Sequence, residues 1–311
     1  MVELFKNIQV DWLGKRKVFF TISAALLLLG MAAIVANKGF RYGVDFKGGT
    51  IARVRFTDPV TVDTLRQTLP GSQIMEMKSG ANEMQIQLED ESGDAGLGRE
   101  TIDKALKDKF GSKFEILSAD SVGPRVGARF RQQAVMVTLY ALAGMLVYIG
   151  FRFELIFGAA AVFAVFHDTL ITLGFFSLFG YEINLTVIAA LLTLVGYSVN
   201  DTIVVFDRVR ENLKTRRRDD LADVMNDSIN QTMSRTILTS GLTFLTVLAL
   251  FIFGGEIINN FAFAMVVGII VGTYSSIAVA SPLVLIYTRL RGKPMASQPV
   301  RAGAPRPAKA R

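Results

Sequence analysis

The chain of 311 residues contains no cysteine and a single histidine. The first absence removes disulfide frameworks, thiolate catalysis and cysteine-ligated zinc or iron–sulfur centres, and the second removes any multi-histidine metal site. No Gly-Lys-Ser/Thr phosphate loop is present, so the glycines of Gly43–Thr50 do not cradle a nucleotide. Charge is missing from long stretches, among them Val18–Ala36 and Leu238–Phe253. At ~1.5 Å per residue, ~20 apolar residues cross a hydrocarbon core ~30 Å thick, which excludes a soluble two-domain enzyme. The charge that is present leans basic, with a formal net of +7. Seven basic and no acidic residues lie between Arg289 and Arg311, so that segment alone equals the net charge. Its place after the last apolar run fits a cytoplasmic tail facing anionic lipids and speaks against nucleic acid as a partner.

Six apolar segments have the length of a membrane span, at roughly 17–37, 134–150, 156–179, 185–207, 237–254 and 262–288. Lys15, Arg16 and Lys17 precede the first, which places the N-terminus inside by the positive-inside rule. Alternation then puts Arg152, the basic stretch Arg208–Arg218 and the C-terminal tail inside as well. The turns Gly180–Asn184 and Gly254–Asn260 fall outside and carry no Lys or Arg. The first segment has the basic start and Ala-rich end of a cleavable signal peptide, but its apolar run exceeds the ~7–15 residues of one. The expected divisions are an N-terminus with the first span (1–37), an outer domain (38–133) and spans two to four (134–207). A cytoplasmic loop (208–236), spans five and six (237–288) and a basic tail (289–311), disordered after about Met295, complete them.

Lys38–Arg131 holds 15 basic and 14 acidic residues, the balance of an ordinary soluble domain. Its pattern reads as strand (Gly43–Phe56), helix (Val60–Leu69), strand (Gln73–Lys78), strand (Glu83–Leu88), helix (Arg99–Phe110) and strand (Phe114–Ser121). Met84, Ile86 and Leu88 alternate as in a strand, while Ile102, Leu106 and Phe110 recur at helical spacing. Asp90–Gly98, rich in acid and glycine, reads as a loop. The βαββαβ order is that of a ferredoxin-like α+β domain, without a catalytic constellation. Gly43, Gly48, Gly49 and then Gly123, Pro124 and Gly127 bracket this domain at its two membrane connections. They read either as strand-end turns or as a pair of hinges on which it swings.

An ionisable group at membrane depth costs at least ~2.5–3.5 kcal/mol, so each one requires a reason. His167–Asp168 lies midway along the third span, Asn200–Asp201 in the fourth, and Arg235 just before the fifth. Counted from the outer helix ends at ~1.5 Å per residue, Asp168 lies ~17 Å deep, Asp201 ~24 Å and Arg235 ~28 Å. Asp201 and Arg235 are therefore expected to pair across neighbouring helices, either as a static ion pair or as one that opens to load and release a proton. Asp207, Arg208 and Glu211 read as a solvated face. In the sixth span Ala264, Gly268, Gly272, Ser276 and Ala280 recur every four residues, and this small stripe, with Gly268 and Gly272 at its centre, permits close helix packing.

Taken together, Gly43–Thr50, Ser121–Gly127, Phe166–Asp168, Gly196–Asn212 and Ser234–Thr236 resemble the SecF branch of the SecD/SecF protein-export family. That resemblance implies an all-α membrane bundle of six helices with a small periplasmic domain, related in architecture to resistance-nodulation-division exporters. It implies location in the bacterial inner membrane with both termini cytoplasmic. The implied partners are SecD, the SecYEG channel and a translocating preprotein, with the proton motive force as power source. It attaches Asp201 and Arg235 to proton conduction and marks His167–Asp168 as a family motif. No enzyme activity, cofactor or metal is expected. A half-transporter for lipids or drugs and a passive assembly scaffold are the rival readings.

Overall fold

The computed structural model describes residues 9–77, 82–89, 97–216 and 218–291. In chain order these form α1 (Arg16–Ala36), α2 (Val44–Lys47), β1 (Gly49–Phe56), α3 (Val62–Thr68), β2 (Gln73–Glu76), β3 (Glu83–Leu88), α4 (Leu97–Phe110) and β4 (Phe114–Val122). The chain continues as α5 (Pro124–Arg152), α6 (Leu155–Phe179), α7 (Leu185–Thr215), α8 (Leu221–Phe253) and α9 (Glu256–Ser275). A π-helical turn (Ser276–Ala280) then leads into α10 (Ser281–Arg291). Six of these helices are long and apolar enough to cross a membrane, α9 and α10 counting as one through the π turn. Pro282 accounts for that turn. It has no N–H to donate, and its ring would collide with the carbonyl of Ala278 four residues back, so the helix widens locally. Ser281 Oγ donates instead to the carbonyl of Ser276, 3.0 Å away and five residues back.

Burial divides the bundle. α6, α7 and α9 carry most of the buried side chains, whereas α1 and α5 are exposed along most of their length. α1 lies against α6 where Gly30 meets Gly174, and a Cβ on Gly30 would sit 2.9 Å from the Gly174 Cα. Side chains on these outer helices are apolar because they face lipid or another protein.

The soluble domain is a four-stranded antiparallel sheet in the order β2–β3–β1–β4. In the register, Thr50 stands opposite Leu88 on β3 and Ser121 on β4, and a bulge at Leu117 interrupts the β1–β4 ladder. Ala52, Val54 and Ile86 on the sheet meet Leu65 and Leu69 of the α3 segment and Ile102 and Leu106 of α4, so both helices cover one face.

The elements follow the expected pattern with three differences. Gly43–Lys47 is not strand: Val44–Lys47 forms one helical turn, because Gly43 and Gly48 flank it and Asp45 bonds outward to the backbone N–H of Leu185, 2.9 Å away. The expected loop 208–236 is helical in both directions, since α7 runs to Thr215 and α8 begins at Leu221. Polar residues at helical spacing sustain it: Arg208 Nε donates to Gln231 Oε1 at 2.6 Å, and Asn212 Nδ2 to Ser228 Oγ at 2.8 Å. Finally, α5 starts ten residues before the expected second span, directly at Pro124 in the first turn, a position its fixed φ favours. Lys78, residues 90–96 of the expected loop, Arg217 and the tail beyond Arg291 lie outside the described residues.

Candidate functional site

Several of the polar residues buried in the bundle gather on two carboxylates. Asp168 on α6 is fully buried. His167 Nδ1 lies 2.9 Å from its Oδ1, while Ser198 Oγ of α7 and Ser275 Oγ of α9 each donate to Oδ2 at 2.7 Å. One carboxylate thus ties three helices together. The small stripe makes this possible: a Cβ on Gly272 would lie 3.1 Å from the Ser198 Cβ, and one on Gly268 would lie 2.4 Å from a Leu194 methyl. Glycine at both positions brings α9 close enough to α7 for the two serines to share an oxygen. The stripe therefore packs within the chain.

Asp201 lies one turn beyond Ser198 on the same buried face of α7, a rise of ~4.5 Å. It accepts a hydrogen bond from Ser240 Oγ of α8 at 2.6 Å. Thr273 of α9 borders the same carboxylate. His167 Nε2 and Thr236 Oγ1 are buried without a partner among the described residues.

Arg235 does not close the expected pair. It is exposed on α8 and forms no ion pair with Asp201 among the described residues. Depth along a helix axis says nothing about direction around it. Ser240, five residues on, points at Asp201, and five steps of ~100° turn Arg235 ~140° away from it, so its charge reaches the carboxylate only through space and not as a contact. Asn200 is also exposed, ~100° around α7 from Asp201. Asp207, Arg208 and Glu211 form a polar end of α7: Arg208 pairs with Glu211 at 2.6 Å, and Asp207 lies 3.6 Å from Arg152. The hydroxyl partners Ser198, Ser240 and Ser275 escaped sequence reasoning, although Ser198 and Ser275 each stand within three residues of a motif position.

The six glycine and proline positions form a packed joint between the sheet domain and the bundle. A Cβ on Gly48 would sit 2.9 Å from the Pro124 Cα, one on Gly49 2.3 Å from the Leu88 carbonyl oxygen, and one on Gly127 3.0 Å from the Phe46 carbonyl. Gly48 and Gly49 also hold φ of +94° and +143°, which L side chains rarely adopt. Gly123 caps α5 ahead of Pro124. Gly43 N–H donates to the Ile183 carbonyl at 2.9 Å, and Ile183 N–H to that of Arg41 at 2.8 Å, which anchors α2 to the α6–α7 turn. In that turn burial pushes the Glu182 carboxyl above its usual range; Lys47, Glu89 and Arg41 face it. No group of three or more metal-ligating side chains occurs among the described residues.

A six-helix bundle with buried carboxylates shared between helices, joined through a glycine seam to a small sheet domain, defines a multi-pass membrane protein with a polar interior. Residues 101–290 match the family model described as "Protein export membrane protein SecD/SecF, C-terminal", and residues 33–60 match the "SecD/SecF GG Motif". The chain belongs to the SecD/SecF family. It is 46% identical to the protein translocase subunit SecF of Calditerrivibrio nitroreducens over 93% of this chain and 98% of that protein. Identity to the SecF subunit of Koribacter versatilis is 40%, over 94% and 95% respectively. The crystal structure of SecDF, a translocon-associated membrane protein from Thermus thermophilus, superposes with a TM-score of 0.79 at 38% identity, covering 91% of this chain and 39% of that one. A second SecDF structure, in a super-membrane-facing form, gives 0.70 at 39% identity over 93% and 40%. The chain thus spans about two fifths of each SecDF protein.

Proposed function

We propose that the chain is the SecF subunit of a SecD–SecF complex that uses the proton motive force to assist SecYEG-mediated translocation of preproteins across the bacterial inner membrane. It does this without enzymatic chemistry of its own. The relatives' names support the export role, and the length of the fused SecDF proteins supports a second membrane half, SecD, as the direct partner. Absence of Lys and Arg from the turns at 180–184 and 254–260 supports cytoplasmic termini and a periplasmic sheet domain. The strand order β2–β3–β1–β4 within a βαββαβ chain supports the ferredoxin-like reading of that domain. Seven basic residues from Arg289 onward support contact of the tail with anionic lipids.

The observation that carries the coupling mechanism is Asp168, enclosed by side chains from α6, α7 and α9, with Asp201 one turn away on α7. Ionised, Asp168 accepts all three hydrogen bonds; protonated, it must surrender one acceptor position and donate, so its partners on α7 and α9 are released or reoriented. A change of charge state thereby becomes a change of helix contact. An elementary charge crossing the membrane potential supplies ~2.3 kcal/mol per 100 mV, comparable with one or two such bonds. Asn200 and Arg235 face out of the bundle at membrane depth, where SecD covers them. The glycine joint transmits the helix shift to the sheet domain.

Inverted membrane vesicles carrying Asp168→Asn or Asp201→Asn test this. Both variants are expected to assemble normally and to lose the acceleration of preprotein export by an imposed proton gradient. Gradient-dependent export at the wild-type rate in both would overturn the mechanism and leave a scaffold.

A further inference from the structure

The sheet domain carries one free edge with the chemistry to hold a polypeptide. β4 is an outer strand of nine residues without proline or lysine, whereas the opposite edge strand, β2, has only four and begins beside the α6–α7 turn at Glu182. The register fixes which β4 backbone groups are free. Phe56 N–H donates to Asn82 on the β3 side, and Thr57 N–H donates to Lys113 on the β4 side. Peptide groups alternate sides along a strand, so Arg55 bonds toward Glu115 while Val54 and Phe56 bond toward β3. Phe114 and Ile116, opposite Phe56 and Val54, therefore present their N–H and C=O groups outward. Among the described residues these groups have no backbone partner.

This edge also borders a groove. A cavity of about 740 Å³ runs between α4 and β4, with Phe114 and Ile116 on its strand side and the exposed Arg99, Glu100 and Lys107 on its helix side. Gly111 and Ser112 line it as well. A row of unpaired backbone donors and acceptors beside a groove of mixed lining, with Phe114 and Ile116 as its apolar part, binds an extended chain by strand addition. The rim has two cations, Arg99 and Lys107, and two acids, Glu100 and Asp103, so it selects for neither charge. The bulge at Leu117 ends the straight edge and confines the added strand to a few residues. Short, sequence-tolerant backbone capture suits an unfolded segment that must be released again.

We infer that the α4–β4 groove holds an extended segment of the translocating polypeptide, added antiparallel or parallel to β4 through the free backbone groups of Phe114 and Ile116. The inference rests on the export role proposed above and names the surface of the chain that the client touches.

The chain has no cysteine, so one introduced thiol is unique. In the assembled complex, Ser112→Cys and Arg99→Cys would be oxidised against a stalled preprotein carrying single cysteines, with Gln67→Cys on the exposed side of α3 as control. The expected result is cross-linking several-fold stronger from the two groove positions. Hydrogen exchange of the peptide spanning 113–117 is expected to slow several-fold when the stalled client is present and to be unchanged in its absence. Equal cross-linking from Gln67→Cys, unchanged exchange at 113–117, or cross-linking of the groove to SecD or to a second copy of the chain regardless of client would overturn the groove assignment. If export stays dependent on the chain, the export role survives that failure. Export independent of the chain would instead remove the role itself.

Discussion

Gly48→Ala separates a packed joint from a free swivel. At Gly48 an added methyl meets two penalties: a backbone at φ +94° and ψ 152°, and a Cβ 2.9 Å from the Pro124 Cα. Gly71 has a similar φ of +84° but nothing within 4 Å of its Cβ, so Gly71→Ala meets only the conformational one. The backbone penalty is ~1–3 kcal/mol in either case. Carbon atoms rest at ~3.5–4.0 Å, so Gly48→Ala must open the seam by most of an ångström, and overpacking of this kind costs a further ~1–3 kcal/mol. Gly71 lies in the α3–β2 turn, outside the joint. At ~1.4 kcal/mol per factor of ten, the overpacking alone therefore opens the joint roughly 5- to 150-fold more often in Gly48→Ala than in Gly71→Ala, and the backbone penalty at Gly48 adds to that. Hydrogen exchange over residues 44–50 and 124–130 in the purified complex reads that opening locally. If the two variants exchange alike there, the glycines are simple turns and the joint does not transmit force.

Trp12 is the sole tryptophan, and its indole N–H donates to Asn230 Oδ1 at 2.9 Å while Asn230 Nδ2 donates to the Val10 carbonyl at 3.0 Å. Asn230→Ala should free the Trp12 indole from α8 at a cost of ~1–3 kcal/mol, seen as a red-shifted and more quenchable Trp12 emission. An unchanged spectrum would show the strap held by Asn226, which accepts from the Trp12 backbone N–H at 2.8 Å and donates to the Val10 carbonyl at 3.0 Å, together with Leu13 burial. Burial raises the Glu182 carboxyl, so the neutral acid is favoured while the sheet domain is docked. Docking therefore tightens as pH falls through that raised value and loosens as pH rises past it. Exchange at residues 180–184 should follow pH in this sense in the wild type and lose the dependence in Glu182→Gln.

Much of this structure is legible in the residues. Uncharged runs locate the spans because burying a charge in lipid is costly, and two-residue alternation finds β3 because one sheet face is covered. The ends of α7 and α8 are hidden for the converse reason: outside the lipid, charged helices such as 208–215 carry no hydropathy signal, and only their cross-helix partners sustain them. Val44–Lys47 alternates like a strand, yet its turn is set by distant partners at Ile183 and Leu185. In the site, both acids stand out as isolated charges, but their partners do not. A serine in an apolar run costs little and so attracts no notice, and whether Ser198, Ser240 and Ser275 point inward depends on helix phase and packing. The same phase decides against Arg235, which matches Asp201 in depth and faces elsewhere.

The proposed coupling requires the two buried acids to carry protons through the bundle. Proton flux into vesicles holding the assembled complex, with a translocating polypeptide engaged, compares the wild type with Asp168→Asn and Asp201→Asn. Flux should fall to the level of empty vesicles in both variants while the complex remains intact. Undiminished flux in Asp168→Asn would contradict the enclosed carboxylate as the coupling element.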